Sequence, residues 1–402
     1  MPTFKRAAVI AITLALATSV IAQRKITDDE VARVHKAALL IDTHNDVTSR
    51  TLTGFDIGEN ASTGHTDIHR LRKGGYSAQF FAVYVAAAFA IDHTAANRTM
   101  QMIDTVRHDI VERYPQTFEL AYTVADIERI RRSGKIAALM GIEGGHAIED
   151  SLRLLRNYYA LGIRYMTLTH SNTNNWAGSS GDIAGRTKGL TPFGKQVVKE
   201  MNRLGMMIDI SHVSDKTFWD ALEVSTAPML ASHSSARALC NVPRNMTDDM
   251  IKALAKKGGV VQVNFACSFL NQAAANASPF INPALRAKLN AALKDFKGSA
   301  EELFAKTREV RKELGIKEER ATLADAVAHI DHIVKIAGID AVGIGGDYDG
   351  VDCTPDGLED VSKMPNLTRA LLEKGYTAGD IKKIYSDNIL RVMRETEKRA
   401  GR

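Results

Sequence analysis

Short apolar runs alternate with segments of helical spacing along most of this chain. Eight runs are rich in Val, Ile, Leu, Met and Ala, as is typical of strands buried on both faces. The predicted strands are 38–46, 77–85, 136–143, 165–170, 206–212, 228–233, 260–265 and 341–346. Sustained alternation with helices predicts parallel strands, and eight of them predict an α/β fold of the closed (β/α)8 TIM-barrel type.

Apolar residues at helical spacing fill the intervals between these strands. The predicted helices are 26–37, 96–114, 123–133, 150–161, 191–204, 215–223, 247–257, 323–337 and 378–398. Residues 48–75 and 171–190 are polar and contain glycine, so we predict loops there. Residues 270–320 are rich in Ala, Lys and Glu and predict a helical insertion between the seventh and eighth strands. Its simplest role would be a lid or a side bracket over the barrel mouth.

Six of the eight predicted strands end in side chains that can bind a metal ion or move a proton. These residues are His44 and Asp46, Glu143, His170, His212, His233 and Asp347. A barrel of this type builds its active site at the carboxyl ends of its strands, so we expect these side chains to converge. Each one alone has an ordinary structural explanation, but six coincident strand ends favour a functional site.

Three imidazoles and two carboxylates make up the predicted metal site. His44, Asp46, Glu143, His212 and His233 suit divalent zinc, and they are enough for two ions with a bridging carboxylate. Such a site holds a hydroxide between the ions and polarises the carbonyl that the hydroxide attacks. The pattern therefore favours hydrolysis.

Composition and charge narrow the possible partners and domain arrangements. The 402 residues are 45% hydrophobic and 25% charged, which is typical of a globular protein with a large core. We interpret residues 23–402 as a single barrel domain. The net charge of +5 is small for this length and no basic run occurs, so we expect no nucleic-acid partner.

The first 22 residues have the layout of a secretory signal peptide. Lys5 and Arg6 precede an apolar stretch at 7–20, and small residues lead to a plausible cleavage point before Gln23. An uncleaved anchor is the alternative. The signal-peptide layout predicts export, so we expect a periplasmic or secreted protein. Because the polar C-terminus carries no lipid-anchor signal, we expect this protein to be soluble after cleavage. Three cysteines permit at most one internal disulfide.

Several segments resemble the membrane dipeptidase (renal dipeptidase) family of zinc peptidases. They are 41–46, 141–146, 168–171, 209–213, 232–236, 244–245, 345–350 and 357–362. The resemblance runs from about residue 30 to residue 395 and includes all eight predicted strands. It implies a zinc-dependent dipeptidase with two Zn²⁺ per chain whose substrates include dipeptides with a C-terminal D-residue. A homodimer is possible.

The resemblance also implies how the five metal-binding residues divide between two zinc ions. His44 and Asp46 would bind one ion, and His212 and His233 would bind the other. Glu143 would bridge the two and so take part in catalysis.

Three further residues would handle the substrate. By the resemblance, His170 would contact the substrate and stabilise the tetrahedral oxyanion, and Arg244 would pair with the terminal carboxylate. Asp347 would contact the substrate and carry the proton from water to the leaving amine. His146, His329 and His332 are assigned to structure.

The chain departs from the animal members of this family at two positions. Cys240 lies where those members have a bridging cysteine, but the matching partner is missing, so we do not expect that disulfide. Phe269 stands where they carry a Tyr that contacts the substrate, which removes one hydroxyl contact.

Two other functions remain open at this point. The first is a different binuclear hydrolase of the amidohydrolase type, acting on a lactone, a cyclic amide or an N-acyl amino acid. Many of those enzymes bridge their metals with a carboxylated Lys on strand four, whereas strand four here ends at His170. The second is an exported zinc- or solute-binding protein, which would need neither Arg244 nor Asp347 beside the metals.

Overall fold

The computed structural model describes residues 25–297, 300–317 and 319–401. The predicted signal peptide at 1–22 lies outside the described residues. Within them, nine strands form one sheet: β1 Ile41–Asn45, β2 Ala78–Tyr84, β3 Phe118–Leu120, β4 Ile136–Glu143, β5 Ile163–Thr167, β6 Met207–Asp209, β7 Leu230–Ser234, β8 Val260–Val263 and β9 Val342–Ile344.

Eight of these strands wind into a nearly closed parallel barrel. They follow the order β1-β2-β4-β5-β6-β7-β8-β9, and every pair between neighbours is parallel. The short strand β3 pairs with β4 outside this path and was not predicted. The predicted (β/α)8 barrel is therefore confirmed, with one extra strand attached to it.

The barrel closes where the end of β1 meets the loop after β9. Asn45 and Tyr348 form an isolated parallel bridge. The backbone N–H of Asp46 donates to the carbonyl of Tyr348 at 2.9 Å, and the N–H of Asp347 donates to the carbonyl of His44 at 3.1 Å. These bonds hold the first and last strand ends together.

Most strands are shorter than predicted at the end that carries the polar residues. Only β4 has the predicted bounds, and β5, β6 and β9 end before His170, His212 and Asp347. His212 and Asp347 have φ of 65° and 59°, which is left-handed backbone that cannot continue a strand. Both side chains therefore project from loops rather than from the sheet.

Helices surround the barrel. The α-helices are Asp28–Ala38, Val47–Leu52, Ile68–Lys73, Ala87–Ile91, Ala95–Asp104, Val124–Arg132, Leu152–Ala160, Pro192–Leu204, Asp215–Val224, Asp248–Lys256, Cys267–Leu270, Gln272–Ala277, Pro283–Leu293, Ala300–Glu313, Leu323–Ala337, Met364–Glu373, Ala378–Lys382 and Asn388–Arg399. Thr105–Glu112 and Lys383–Asp387 are π-helical, and three 3-10 turns cover Gly145–Ile148, Ile339–Ala341 and Val361–Lys363. Among the described residues, no helix has the length and apolar character needed to cross a bilayer.

The prediction of one long loop over 48–75 is wrong. Val47–Leu52 and Ile68–Lys73 are helices of six residues each. The second begins at Asp67, whose side chain accepts from the N–H of Arg70 at 2.8 Å. Both helices are too short, and too polar overall, for their apolar spacing to stand out.

Threonine caps begin several of the predicted helices. The side chains of Thr27, Thr123, Thr191, Thr247 and Thr322 each accept a hydrogen bond from a backbone N–H in the first turn that follows. These bonds satisfy donors that the helix leaves unpaired at its start, which explains why the starts were better predicted than the strand ends.

Most of the described core consists of two layers of apolar side chains, and a small third cluster surrounds Phe269. One fills the barrel interior and includes Ile41, Phe80, Leu139, Tyr165 and Leu230. The other, larger layer lies between the strands and the helices. Because the interior is packed, a ligand can enter only from a barrel end.

A disulfide joins the two loops beside the barrel mouth. Cys267 follows β8 and Cys353 follows β9, with an S–S bond between them, while Cys240 is buried and free. The backbone N–H of Cys267 also donates to the carbonyl of Cys353 at 3.0 Å. One disulfide and one free thiol agree with the prediction that three cysteines permit at most one internal disulfide.

Removing this bridge should destabilise the protein. It closes a sequence separation of 86 residues. Replacing both Cys267 and Cys353 with Ser should lower the free energy of unfolding by about 2–5 kcal/mol, because the unfolded chain regains freedom. Denaturant unfolding would measure this loss, and a reductant should destabilise the parent but not the double variant. Equal stability of the two proteins without reductant would contradict the prediction.

Candidate active site

The predicted metal-binding residues converge around the carboxylate of Glu143. Its Oε1 lies 2.9 Å from His212 Nε2 and 3.2 Å from His233 Nε2. Its Oε2 lies 3.6 Å from His44 Nε2, which is in turn 3.2 Å from Asp46 Oδ2. One carboxylate therefore lies between two groups of donors.

Strand register explains part of this convergence. Tyr84 on β2 pairs with Glu143 on β4, Glu143 pairs with Thr167 on β5, and Thr167 pairs with Asp209 on β6. The four residues form a row at the carboxyl ends of adjacent strands. Functional side chains from this row and from the loops just beyond it meet above the barrel core.

Burial keeps two of the imidazoles neutral. Burial is the main reason that the pKa values of His212 and His233 lie well below the usual value. The positive charge of Arg244 lowers both pKa values further. Their Nε2 atoms approach to 2.9 Å. Neutral imidazole is the form of histidine that binds metal ions.

The surroundings of His44 and Glu143 favour a positive charge between them. Burial lowers the pKa of His44, but Tyr165, Glu143 and Asp46 outweigh burial and raise it well above the usual value. Burial opposes ionisation of Glu143, yet His44, His170 and hydrogen bonds from His212 and His233 hold its pKa well below the usual range. A bound metal ion would supply the positive charge that the ionised carboxylate of Glu143 favours.

The donor set fits divalent metal. Three groups of side chains each offer ligand atoms within 4.8 Å of one another: Glu143, His212 and His233; His44, Asp46 and Glu143; and His44, His233 and Asp347. The Nε2 of His44 is buried and has no well-aligned hydrogen-bond partner among the described residues. Imidazole nitrogens and carboxylate oxygens are the ligands that zinc and similar ions take in catalytic sites.

Tyr165 fixes the orientation of His44. The Tyr165 hydroxyl donates to the carbonyl of Thr43 at 2.9 Å, so it accepts from His44 Nδ1 at 2.9 Å. Nδ1 of His44 therefore donates to Tyr165 whether or not the ring is charged, and Nε2 is the nitrogen that faces Asp46 and Glu143, where a bound cation would replace its proton.

Asp209 orients His233 in the same way through Ser232. The Ser232 hydroxyl donates to Asp209 Oδ2 at 2.6 Å and accepts from His233 Nδ1 at 2.7 Å. The Nε2 of His233 is again the free nitrogen. Sequence reasoning missed Tyr165, Asp209 and Ser232, although a polar residue within a buried strand is a signal that could have found them.

His170 lies at the edge of the ligand cluster. Its Nε2 is 3.8 Å from Glu143 Oε1, and its ring makes an edge contact with Tyr84 at 4.9 Å between centroids. Burial lowers the pKa of His170, which keeps the ring neutral. A neutral imidazole at this point can donate one hydrogen bond into the cavity.

Asp347 faces the cluster from the loop after β9. Its Oδ1 is 3.9 Å from His44 Nε2, and its Oδ2 accepts from Asn264 Nδ2 at 2.7 Å. Burial raises the pKa of Asp347 to about 8. Asn264 was not predicted, and it fixes the rotamer of a carboxyl group that can hold a proton.

Arg244 lies just behind the wall of the site. It is 7% exposed, and its guanidinium donates to Ser234 Oγ at 2.8 Å and to the carbonyl of His233 at 2.7 Å. The Phe269 ring is 5.5 Å from it, and its Nε has no partner among the described residues. Burial lowers the pKa of Arg244 to about 10, so it remains a cation at neutral pH.

The histidines that were assigned to structure make structural contacts. His146 Nε2 lies 2.9 Å from the carbonyl of Val85. His329 Nδ1 accepts from the N–H of Ala236, and its Nε2 donates to the carbonyl of Leu270, both at 3.0 Å.

A cavity of about 430 Å³ opens above these residues. Its lining side chains come from the strand ends and the following loops: Asp46, Ser49, Tyr84, Glu143, His170, His212, Ala266, Ser268, Phe269, Phe280, Asp347, Asp349, Gly350, Val351 and Asp352. A larger cleft of about 800 Å³ lies at the opposite barrel end, near Leu39, Ser77 and Lys135, and holds none of the candidate ligands. We assign the chemistry to the smaller cavity because the donors are there.

The fold and this cavity define a class of protein. A parallel eight-stranded barrel with imidazole and carboxylate donors clustered at its carboxyl end is a metal-dependent hydrolase. Comparison with known families then gives the membership: the chain belongs to the membrane dipeptidase family (peptidase family M19), whose model matches residues 28–402.

Individual relatives agree with this membership. An uncharacterized dipeptidase of Schizosaccharomyces pombe is 35% identical over 396 residues, covering 93% of this chain and 84% of that protein. The probable dipeptidase PvdM from Pseudomonas aeruginosa has a TM-score of 0.79 and 27% identity, over 92% of this chain and 98% of that one. A metallopeptidase from Rhodobacter sphaeroides is bound to a phosphinate mimic of the dipeptide L-Ala-D-Ala. It has a TM-score of 0.70 and 26% identity, over 89% of this chain and 99% of that one. The protein is a metallo-dipeptidase.

Loss of the hydroxyl that orients His44 should weaken metal binding. Tyr165→Phe removes the acceptor for His44 Nδ1, so we expect metal affinity to fall about 10- to 100-fold. Competition with a chelator would measure it. Tyr385→Phe is the control, because that buried hydroxyl lies 3.0 Å from Thr368 Oγ1 and touches no candidate ligand. Equal metal affinity in both variants would contradict the role given to Tyr165.

Proposed function

We propose that this protein hydrolyses dipeptides with two zinc ions held by His44, Asp46, Glu143, His212 and His233. The observation that carries this proposal is the position of Glu143, whose carboxylate faces His212 and His233 with Oε1 and His44 with Oε2, so that it belongs to two of the three donor groups. When bound, such ions would activate a water molecule and polarise the scissile carbonyl.

The surrounding side chains would handle the rest of the reaction. His170 would donate a hydrogen bond to the carbonyl oxygen as negative charge develops there. Asp347 would take a proton at its carboxylate and return it to the leaving amine. The bond from Asn264 to Asp347 Oδ2 supports this assignment, because it leaves Oδ1 to face the cluster.

Arg244 would set the length of the substrate. A dipeptide has its free carboxylate one residue from the scissile bond, so a fixed guanidinium beside the metal ligands can recognise it. A longer peptide has backbone at that place. The buried cation with an unpaired Nε supports this role, because a buried charge without a full set of partners is unfavourable until an anion reaches it.

Dipeptides with a C-terminal D-residue belong to the proposed substrate range. The carboxylate would point to Arg244 and the carbonyl to the metal ligands, which leaves the C-terminal side chain free to point outward in either configuration. The Rhodobacter sphaeroides relative bound to a mimic of L-Ala-D-Ala supports this extension.

The first prediction from this proposal concerns substrate length and metal. The purified protein loaded with zinc should hydrolyse L,L and L,D dipeptides and show little activity on tripeptides or dipeptide amides. A chelator should abolish the activity, and added zinc should restore it. Rates measured by chromatography of the products would test this, and a preference for tripeptides would rule out the carboxylate-length model.

The second prediction concerns Arg244. Arg244→Ala should mainly raise KM for dipeptides, with a loss of about 2–5 kcal/mol in transition-state binding. Metal content should not change. Arg164→Ala is a matched control, since that guanidinium is held by the carbonyls of Tyr122, Tyr159 and Ile163 and lines no part of the cavity. If both variants keep the parent KM, Arg244 does not bind the carboxylate.

The third prediction concerns export. The layout of residues 5–22 supports cleavage near Gln23 and a periplasmic or secreted enzyme. Mass spectrometry of the exported fraction should find a chain that begins near Gln23. An intact chain beginning at Met1 in that fraction would argue for the uncleaved form.

A further inference from the structure

The active-site cavity has two chemically different sides. The donors Asp46, Glu143, His170, His212 and Asp347 form one side. The apolar lining residues Ala266 and Phe269 belong to one buried cluster, against which Val351 packs, and Phe280 contacts Phe269, so these four form an apolar patch beside Ser268, Asp349 and Asp352. Among the described residues, no Lys or Arg lines the cavity.

Phe280 is the exposed member of this apolar patch. Its side chain is 48% exposed, and its ring centroid lies 6.1 Å from that of Phe269. The next residue, Ile281, packs against the buried cluster that contains Phe269 and Val242. The chain therefore uses Ile281 for packing and leaves the larger aromatic ring at the cavity rim. The Arg286 guanidinium lies over this ring at 6.0 Å from its centroid, and a ligand in the cavity would cover more of it.

The turn that carries Phe280 is held by several hydrogen bonds. The N–H of Phe280 donates to Ser278 Oγ at 3.2 Å, and the N–H of Asn282 donates to the carbonyl of Ser278 at 2.8 Å. Arg286 donates from Nε to the carbonyl of Pro279 at 3.1 Å and from Nη2 to the carbonyl of Phe280. The backbone that carries the ring is thus held by hydrogen bonds rather than by burial.

We propose that Phe280 contacts the C-terminal side chain of the dipeptide and makes the enzyme favour apolar residues at that position. This rests on the proposed function, because the orientation of the substrate follows from Arg244. The Arg244 guanidinium lies 5.5 Å from the Phe269 ring, so a carboxylate directed to it brings the C-terminal residue to the apolar patch. Acidic C-terminal side chains are disfavoured, since Asp349 and Asp352 line the cavity and, among the described residues, no Lys or Arg does.

Two series of dipeptides test this assignment. One keeps Ala at the N-terminal position and places Gly, Leu, Phe or Glu second; the other keeps Ala second and varies the first residue in the same way. The parent should favour Ala-Phe and Ala-Leu over Ala-Gly and Ala-Glu. In Phe280→Ala, the ratio of kcat/KM for Ala-Phe to that for Ala-Gly should fall about tenfold, mainly through KM.

Matched variants separate recognition from structure. Phe280→Leu should keep most of the preference for apolar residues. Trp219→Ala removes another exposed aromatic, 42% exposed on the helix Asp215–Val224 and outside the cavity lining, and should leave the ratio unchanged. The inference is wrong if Phe280→Ala lowers kcat/KM equally for all substrates and so leaves the Ala-Phe to Ala-Gly ratio unchanged. It is also wrong if the substitution alters selectivity only at the N-terminal position of the dipeptide. A parent that cleaves no dipeptide would instead overturn the proposed function, and this inference with it.

Discussion

The barrel seam between β1 and β9 is the constraint on which the site depends. His44 and Asp46 come from one end of the barrel sequence and Asp347 from the other, and only closure makes them neighbours. Asp42 Oδ1 accepts from the N–H of His44 at 3.1 Å and from that of Gly346 at 2.9 Å, so one carboxylate ties both strand ends. His44, Asp46 and Asp347 are therefore placed by backbone hydrogen bonds at the junction of the first and last strands.

Burial gives this arrangement its chemistry. A carboxylate away from water is unfavourable unless positive or hydrogen-bonding partners surround it. Glu143 has four imidazoles near it, and burial keeps three of them, His170, His212 and His233, neutral; the last two are in the form that binds metal ions. Without a bound cation, burying these ionisable groups together is energetically unfavourable. The electrostatics of the site therefore favour binding of a metal ion.

Sequence patterns predicted the barrel and the residues that meet at its mouth, because buried strands are continuous apolar runs and the His, Asp and Glu residues at their ends stand out against them. They did not predict the three-residue strand Phe118–Leu120 or the six-residue helix Val47–Leu52, which are too short to show a period. Specific side-chain contacts between residues far apart in the sequence could not be predicted from it either. Tyr165 orients His44, and Cys267 pairs with Cys353, only because separate strands bring them together.

Metal positions test the central claim most directly. Crystals of the zinc-loaded protein, measured at the zinc absorption edge, should show two anomalous peaks above the carboxyl end of the barrel. One should contact His44 and Asp46, the other His212 and His233, and Glu143 should contact both. A single peak, or a peak away from Glu143, would contradict a binuclear site bridged by this residue.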